Sequence, residues 1–436
     1  METPARLDAA GLITLVADLA TLDCADPVDL VETIAQLERL KNAAAAAQAR
    51  ATVALRSVRE SEARATGRSV RRVAGSVAGE VGLARRESQH RAGILVGLAA
   101  LLAEMPHASA AFTAGEVSEW RVTVLARETA CLSRADRALA DAELGPRLAH
   151  LSTGQLCAEA RSIAYRLDPH GVVRRIGKAE QERRVTCRPA PDCMTYLTGL
   201  LPAADGVAVF AALTMAADQA RAAGDERSKG QVMADTLVGR VTGREPAAGP
   251  GVEVQLVMTD EALLSGSETP ARLAGYGPIP ASVARRLAEV ALDTDRAWVR
   301  RLYAAPGEGR LVAMESASRR FGKGMRAFIK TRDNNTCRTP YCGAPIRHID
   351  HVVPADAGGT TTITNGQGLC ERCNYLKEQP DWRVTTEPDG TITIQTPTGH
   401  RYISRPPDLP HEMRAVKPAP PSPIPIFMDF FHQTAA

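Results

Sequence analysis

The chain has 436 residues, with 53 Lys and Arg against 50 Asp and Glu, a formal charge of +3, 44% hydrophobic residues and 4% aromatic ones. At about 100–200 residues per domain this gives two or three domains with real cores, and the chain is too apolar and too evenly charged to be disordered. Its longest uncharged apolar stretches, such as Ala92 to Ala103, fall short of the ~20 residues of a membrane span, and the first residues, with Glu2, Arg6, Asp8 and Asp18, do not read as a signal peptide. The expectation is a cytoplasmic protein with no membrane part.

Residues 1–170 read as helical. Asp26-Pro27 is an N-cap with a first-turn proline, followed by Leu30, Ile34 and Leu37 at helical spacing. The alanine run Ala43 to Ala47 continues toward Val53, Leu55 and Val58. Further helical patterns cover about 81–102, 118–130, 134–148 and 153–167, and Leu167-Asp168-Pro169 ends the series. Their apolar faces read as core. Between about 183 and 202, Val185, Cys187, Met194, Tyr196 and Leu200 with Pro189 and Pro191 between the halves predict a short β-hairpin. Helices return near 206–221 and 228–241, and 243–251 reads as a linker. Val252, Val254, Leu256 and Met258 alternate as a strand, and 280–291 is helical. Five scattered cysteines, Cys24, Cys131, Cys157, Cys187 and Cys193, read as small buried hydrophobes.

From 318 to 332 the pattern predicts a two-faced helix. Phe321, Met325, Phe328 and Ile329 fall on one face, and Arg319, Lys323, Arg326 and Lys330 on the other, about half a turn away. Residues 319–347 hold eight basic side chains and one acid, Asp333, while the rest of the chain is slightly acidic. A basic patch on an acidic body points to a polyanion. Trp382 and Val384, then Asp389-Gly390 as a type I′ turn, then Ile392 and Ile394, predict a β-hairpin. From Pro406 eight prolines fall within 20 residues, so the tail is expected to be extended or disordered, with an unplaced apolar cluster at Ile426 to Phe431.

The chemistry is concentrated between Cys337 and Asn374. Cys337 and Cys342 form a C-x4-C pair, Cys370 and Cys373 a C-x2-C pair, and 27 residues separate them. Two such knuckles match a structural zinc site, with His348 the nearest competing ligand. Between them run Arg347-His348-Ile349-Asp350-His351-Val352-Val353-Pro354, then Gly358-Gly359 and Asn365. Asn374 follows the last cysteine, and 369–379 can form a helix. The order is strand, loop, strand and helix. Adjacent residues in a strand face opposite sides, so Asp350 and His351 are expected to do separate jobs.

This order, Cys…Cys…Asp-His…Gly-Gly…Asn…Cys-x-x-Cys-Asn…Lys, resembles the HNH endonuclease family, whose ββα-metal fold holds one catalytic divalent ion. The resemblance implies that His351 is the general base, that Asp350 and Asn374 are ligands of a Mg2+ or Mn2+ ion, and that Asn365 hydrogen-bonds and orients the imidazole. It makes the four cysteines a separate structural Zn2+ site. Two positions depart from the commonest pattern: Asn374 stands where many members have His, and Gly366 follows Asn365 in place of a large apolar residue. Lys377, a turn beyond Asn374, is a candidate phosphate contact, beside Arg319, Lys323, Arg326 and Lys330.

More widely, Thr113-Ala114-Gly115-Glu116-Val117-Ser118, Leu167-Asp168-Pro169, Asp235-Thr236-Leu237-Val238, Arg332-Asp333 and Pro397-Thr398-Gly399-His400-Arg401-Tyr402 are similar to an actinobacterial group. In that group a helical domain of unknown function precedes an HNH module. The expected fold is mainly α. A helical domain with a small β insertion occupies 1–243, a linker and α/β connecting region 244–315, the ββα-metal zinc module with a β-hairpin 316–405, and the Pro-rich tail 406–436. The expected activity is metal-dependent hydrolysis of phosphodiesters, in DNA first among nucleic acids. The alternative is a zinc-stabilised nucleic-acid-binding module that does not cut. A protein partner or self-association is the role left to the helical domain.

Overall fold

The computed structural model describes residues 8–23, 26–243, 256–274, 276–293 and 320–407. Cys24, the linker beyond 243, Val252, Val254, Arg319, the tail from 408 and its apolar cluster at 426–431 lie outside the described residues. The chain divides into two compact units, Met1–Arg85 with His90–Ala179, and Arg86–Gln89 with Glu180–Ala436.

The first unit is built of helices: α1 (Ala9–Ala20), α2 (Pro27–Ala65), α3 (Val70–Arg85), α4 (Gln89–Leu102), α5 (Pro106–Thr113), α6 (Glu119–Glu128), α7 (Arg134–Leu144), α8 (Thr153–Leu167) and α9 (Pro169–Gln181). Asp26 caps α2 as expected, its carboxylate accepting the Val28 and Asp29 N–H groups, and α2 runs about 58 Å at 1.5 Å per residue. The stretch 81–102 is two helices, because Arg86 takes a left-handed conformation (φ 55°) between α3 and α4. Asp168-Pro169 does not end the helical series. The Asp168 carboxylate accepts the Gly171 N–H at 2.8 Å and its carbonyl accepts Val172 N–H, so it starts α9 by the same Asp-Pro device that starts α2.

Met105, Phe112, Leu125, Leu144, Leu148 and Leu156 are buried in one continuous cluster at the centre of this unit. The segment 113–118 is where α2 is seated. Arg50 Nη1 donates to Thr113 Oγ1 at 2.9 Å, and buried Asn42 donates through Nδ2 to the Gly115 carbonyl at 3.1 Å. Ser118 caps α6. This motif is therefore a packing device.

The second unit opens with the expected hairpin, β1 (Arg184–Pro189) antiparallel to β2 (Thr195–Leu200). Every residue of both strands is exposed, and Cys187 and Cys193 are exposed with them, contrary to the sequence expectation. Helices α10 (Ala203–Ala222) and α11 (Lys229–Thr242) follow, the latter capped by Ser228. Strand β3 (Leu256–Val257) is the described part of the alternating run. With β4 (Ala271–Leu273) and β5 (Gly277–Ile279) it forms an antiparallel sheet beside α12 (Asp260–Leu264) and α13 (Ala281–Asp293).

The C-terminal module comprises α14 (Lys323–Arg332), β6 (His348–His351), β7 (Gly366–Leu369), α15 (Glu371–Lys377), β8 (Arg383–Thr386), β9 (Ile392–Gln395) and β10 (Arg401–Ser404). Helix α14 starts at Lys323 and not at 318, with extended Gly322 as its cap. The predicted hairpin is a three-stranded sheet in the order β10-β9-β8. Its first turn is not type I′: Gly390 is left-handed (φ 79°) and donates to the Glu387 carbonyl, whereas Asp389 is not left-handed. The same Pro-x-Gly turn recurs at 396–399, where Gly399 donates to the Thr396 carbonyl and leads into β10. Among the described residues no single helix is long and apolar enough to cross a membrane.

Candidate active site and metal centre

The two knuckles converge. Cys337, Cys342, Cys370 and Cys373 are all buried, and their sulfurs lie within 4.8 Å of one another. Cys342 Sγ is 3.7 Å from Cys370 Sγ and 3.6 Å from Cys373 Sγ. A disulfide needs about 2.05 Å. Thiolates at about 2.3 Å around a tetrahedral Zn2+ stand about 3.8 Å apart, so the set fits a structural zinc ion. Hydrogen bonds from Cys337, Cys342 and Cys373 hold the Cys370 thiol far below its ordinary range, while those involving Cys337 push Cys373 up. His348 lies exposed on β6 and is not part of this cluster. Cys370 also caps α15, its Sγ accepting the Cys373 N–H, which ties the metal centre to the helix carrying Asn374.

Strands β6 and β7 pair antiparallel with His351 opposite Gly366 and Asp350 opposite Gln367. A side chain on Gly366 would put its Cβ 2.5 Å from Ile329 Cδ1 and 2.8 Å from Phe321 Cε1. The glycine is what lets the apolar face of α14 press against the sheet, where Phe321, Met325 and Ile329 join Ile346, Ile349 and Ile363 in one buried cluster. The Phe321 ring stacks on the His351 imidazole, centroids 4.6 Å apart and tilted 41°.

His351 is held on several sides. Its Nε2 is 3.0 Å from Thr361 Oγ1, both residues being buried, and its Nδ1 is 4.0 Å from Asp350 Oδ1. The side chain is 10% exposed. Asp350 turns back along the strand to accept the His351 N–H at 2.9 Å, so the two neighbours meet despite their alternation. Asn365 does not orient the imidazole. Its Nδ2 donates to the Val353 and Thr360 carbonyls at 3.0 and 2.8 Å, and its Oδ1 accepts the Val353 N–H at 2.8 Å. All its amide polar groups are engaged by backbone, and it closes the loop that carries Thr361. One partner of the imidazole is Thr361, which sequence reasoning missed because nothing distinguishes it within the run Thr360-Thr361-Thr362.

Helix α15 brings Asn374 and Lys377, three residues apart and so on one face, toward β6. Asn374 Oδ1 is buried and has no hydrogen-bond partner among the described residues. A buried acceptor without a partner is costly and calls for an explanation. Lys377 is not on the surface: its side chain is 7% exposed and Nζ lies 2.9 Å from Asp350 Oδ2, with a second contact to Glu378. Burial pulls its ammonium down in pKa, but hydrogen bonds to Glu378 and Asp350 outweigh this and leave it raised.

Three of the cations expected on α14, Lys323, Arg326 and Lys330, are exposed, opposite the buried Met325 and Ile329. Two other bases of the same run turn inward. Asp333, with no exposed side-chain surface, accepts from Arg332 Nε at 2.7 Å, Arg338 Nη1 at 3.1 Å and the Gly368 N–H at 2.9 Å. Arg338 reaches on to the Gly390 and Ser404 carbonyls, and Arg332 to those of Ile363 and Gly366. This network fastens α14, the first knuckle, β7 and the C-terminal sheet together. Its signal in the sequence is the lone acid amid eight bases.

A family model described as "Domain of unknown function (DUF222)" matches residues 33–333, and one described as "HNH endonuclease" matches 337–379. The chain belongs to the DUF222 family, and an HNH endonuclease domain of a nuclease-type family follows. It is similar to Uncharacterized protein Rv3776 of Mycobacterium tuberculosis, 28% identical over 466 residues that cover 92% of this chain and 86% of the relative. It is also similar to Uncharacterized protein Rv2100 of the same organism, 27% identical over 472 residues that cover 90% and 82%. No solved structure matches the chain.

Proposed function

We propose that the protein is a metal-dependent HNH endonuclease that hydrolyses phosphodiester bonds in DNA. The observation that carries this reading is the buried, unpartnered Asn374 Oδ1 on the helix that also packs Lys377 against Asp350. An amide oxygen and a carboxylate suit a hard divalent ion. Asp350 and Asn374 would hold a Mg2+ or Mn2+ ion, which when bound neutralises charge developing on the phosphate and the departing 3′ oxygen.

His351 takes the proton of the attacking water. In the tautomer we assign, Nε2–H donates to Thr361 Oγ1 and Nδ1, on the Asp350 side, takes the proton. Phe321 and Thr361 fix the ring, and Asn365 fixes the loop that holds Thr361. The four cysteines bind Zn2+ and keep β6, β7 and α15 in register. Lys323, Arg326 and Lys330 hold phosphates without reading sequence, as does Arg319 in the same reading.

The Lys377–Asp350 pair also favours a second reading, a zinc-stabilised nucleic-acid-binding module that does not cut, because it gives Asp350 a counter-charge without any divalent ion. Nicking of supercoiled plasmid with Mg2+ or Mn2+ separates the two. The first predicts nicking by the wild type and none by His351→Ala. No nicking by a zinc-loaded wild type that still binds DNA supports the second.

A further inference from the structure

The Lys377 ammonium sits between two carboxylates. Asp350 Oδ2 is 2.9 Å away, and Glu378 Oε1 is its second partner. The Lys377 side chain is 7% exposed, whereas that of Glu378 is 55% exposed. One turn earlier on the same face, Asn374 presents its unpartnered oxygen. Of the two oxygen donors assigned to the divalent ion, the amide oxygen has no hydrogen-bond partner among the described residues and the carboxylate already pairs with a cation of the chain.

Resting on the reading of Asp350 and Asn374 as ion ligands, we propose that Lys377 is a resident counter-cation that sets the affinity for the divalent ion. It pairs with Asp350 in the ion-free protein and shifts wholly to Glu378 when the ion takes Asp350. A divalent ion on Asp350 would repel the ammonium 2.9 Å from the same carboxylate even with surface screening, so ammonium and ion would compete. An ammonium has three donors on a flexible stem, and it can leave Asp350 without letting go of Glu378. No buried charge is left unpaired by the shift, which would otherwise be strongly unfavourable. The exposure of Glu378 places the second position at the rim of the site.

The test is Mn2+ binding to the zinc-loaded full-length protein, followed by titration calorimetry and by the spin-resonance signal of free Mn2+. Lys377→Met is expected to bind Mn2+ at least about tenfold more tightly than wild type, because a competing charge is gone. Lys377→Arg keeps the charge and is expected to bind no more tightly than wild type. Glu378→Gln removes the receiving carboxylate and is expected to weaken binding severalfold. Asp350→Asn is expected to abolish the site in every background.

Equal or weaker binding by Lys377→Met, with binding still lost in Asp350→Asn, overturns the counter-cation role and leaves the ligand assignment standing. Binding that survives Asp350→Asn, or no binding by any variant, overturns both. Should Lys377→Met fail to retain zinc, Glu378→Gln decides alone, and an unchanged affinity there overturns the proposal.

Discussion

The helical unit and the C-terminal module reach a fixed structure by different means. The first buries Phe112, Leu125, Leu144, Leu148 and Leu156 in a continuous apolar cluster among long helices. In the module, β6 and β7 are four residues each and α15 is seven, too little to hold a pocket by apolar burial alone. It adds four converging cysteines and the buried Arg332–Asp333–Arg338 network. The lesson concerns charge as much as size. Bases of one short run serve as a solvent-facing stripe on α14 and as internal struts a few residues later.

Metal removal is the change that separates the two regions most. Chelation of zinc, or Cys370→Ala, is expected to unfold the module while far-UV circular dichroism retains the signal of the helical unit. Structural zinc contributes about 10–16 kcal/mol in small domains. A loss of helicity throughout the chain would break the comparison. Next in size, Asp333→Ala strands two arginines, one of them buried, and is expected to lower module stability by about 3–5 kcal/mol in urea denaturation. An effect below about 1 kcal/mol would mean that the network is incidental.

Gly366→Val drives methyl groups into Ile329 and Phe321 and is expected to lower stability by about 1–3 kcal/mol. It should also displace the Phe321 ring from His351, read as a change in the imidazole NMR shifts. Reversing Lys323 and Arg326 together is the mildest change to the fold, expected to leave stability within about 0.5 kcal/mol. DNA affinity should nevertheless fall alike for all sequences, and the salt slope should drop by about 2. Unchanged affinity in filter binding would remove α14 from the interface.

What the sequence discloses follows the same division. Helix α8 is legible end to end, because Ser152 caps it and its apolar spacing persists to Leu167. Helix α9 is hidden because Asp-Pro directly after a helix resembles a stop, although the same pair opens α2. The cysteine quartet is legible from spacing alone, since zinc constrains which ligands can meet. Asn365 is legible as important but not for its task, because its partners are backbone atoms across a loop and residue type does not reveal them.

Lys377 reads as a surface cation because its direction depends on the phase of a two-turn helix, set by Cys373 and Leu376 facing inward. Cys187 and Cys193 are exposed because, among the described residues, no second layer covers either face of the β1–β2 hairpin. No local pattern reports a missing layer.

The proposed role of Asn374 and Asp350 is to hold the ion against which His351 works. It is tested most directly by plasmid nicking rates, at saturating Mn2+, for wild type, Asn374→Ala and Asn374→His. The alanine variant is expected to lose about a hundredfold while keeping its zinc. The histidine variant, which restores a ligating nitrogen, should retain a substantial rate. Nicking by Asn374→Ala at the wild-type rate would contradict the assignment and leave the orphaned oxygen without a function.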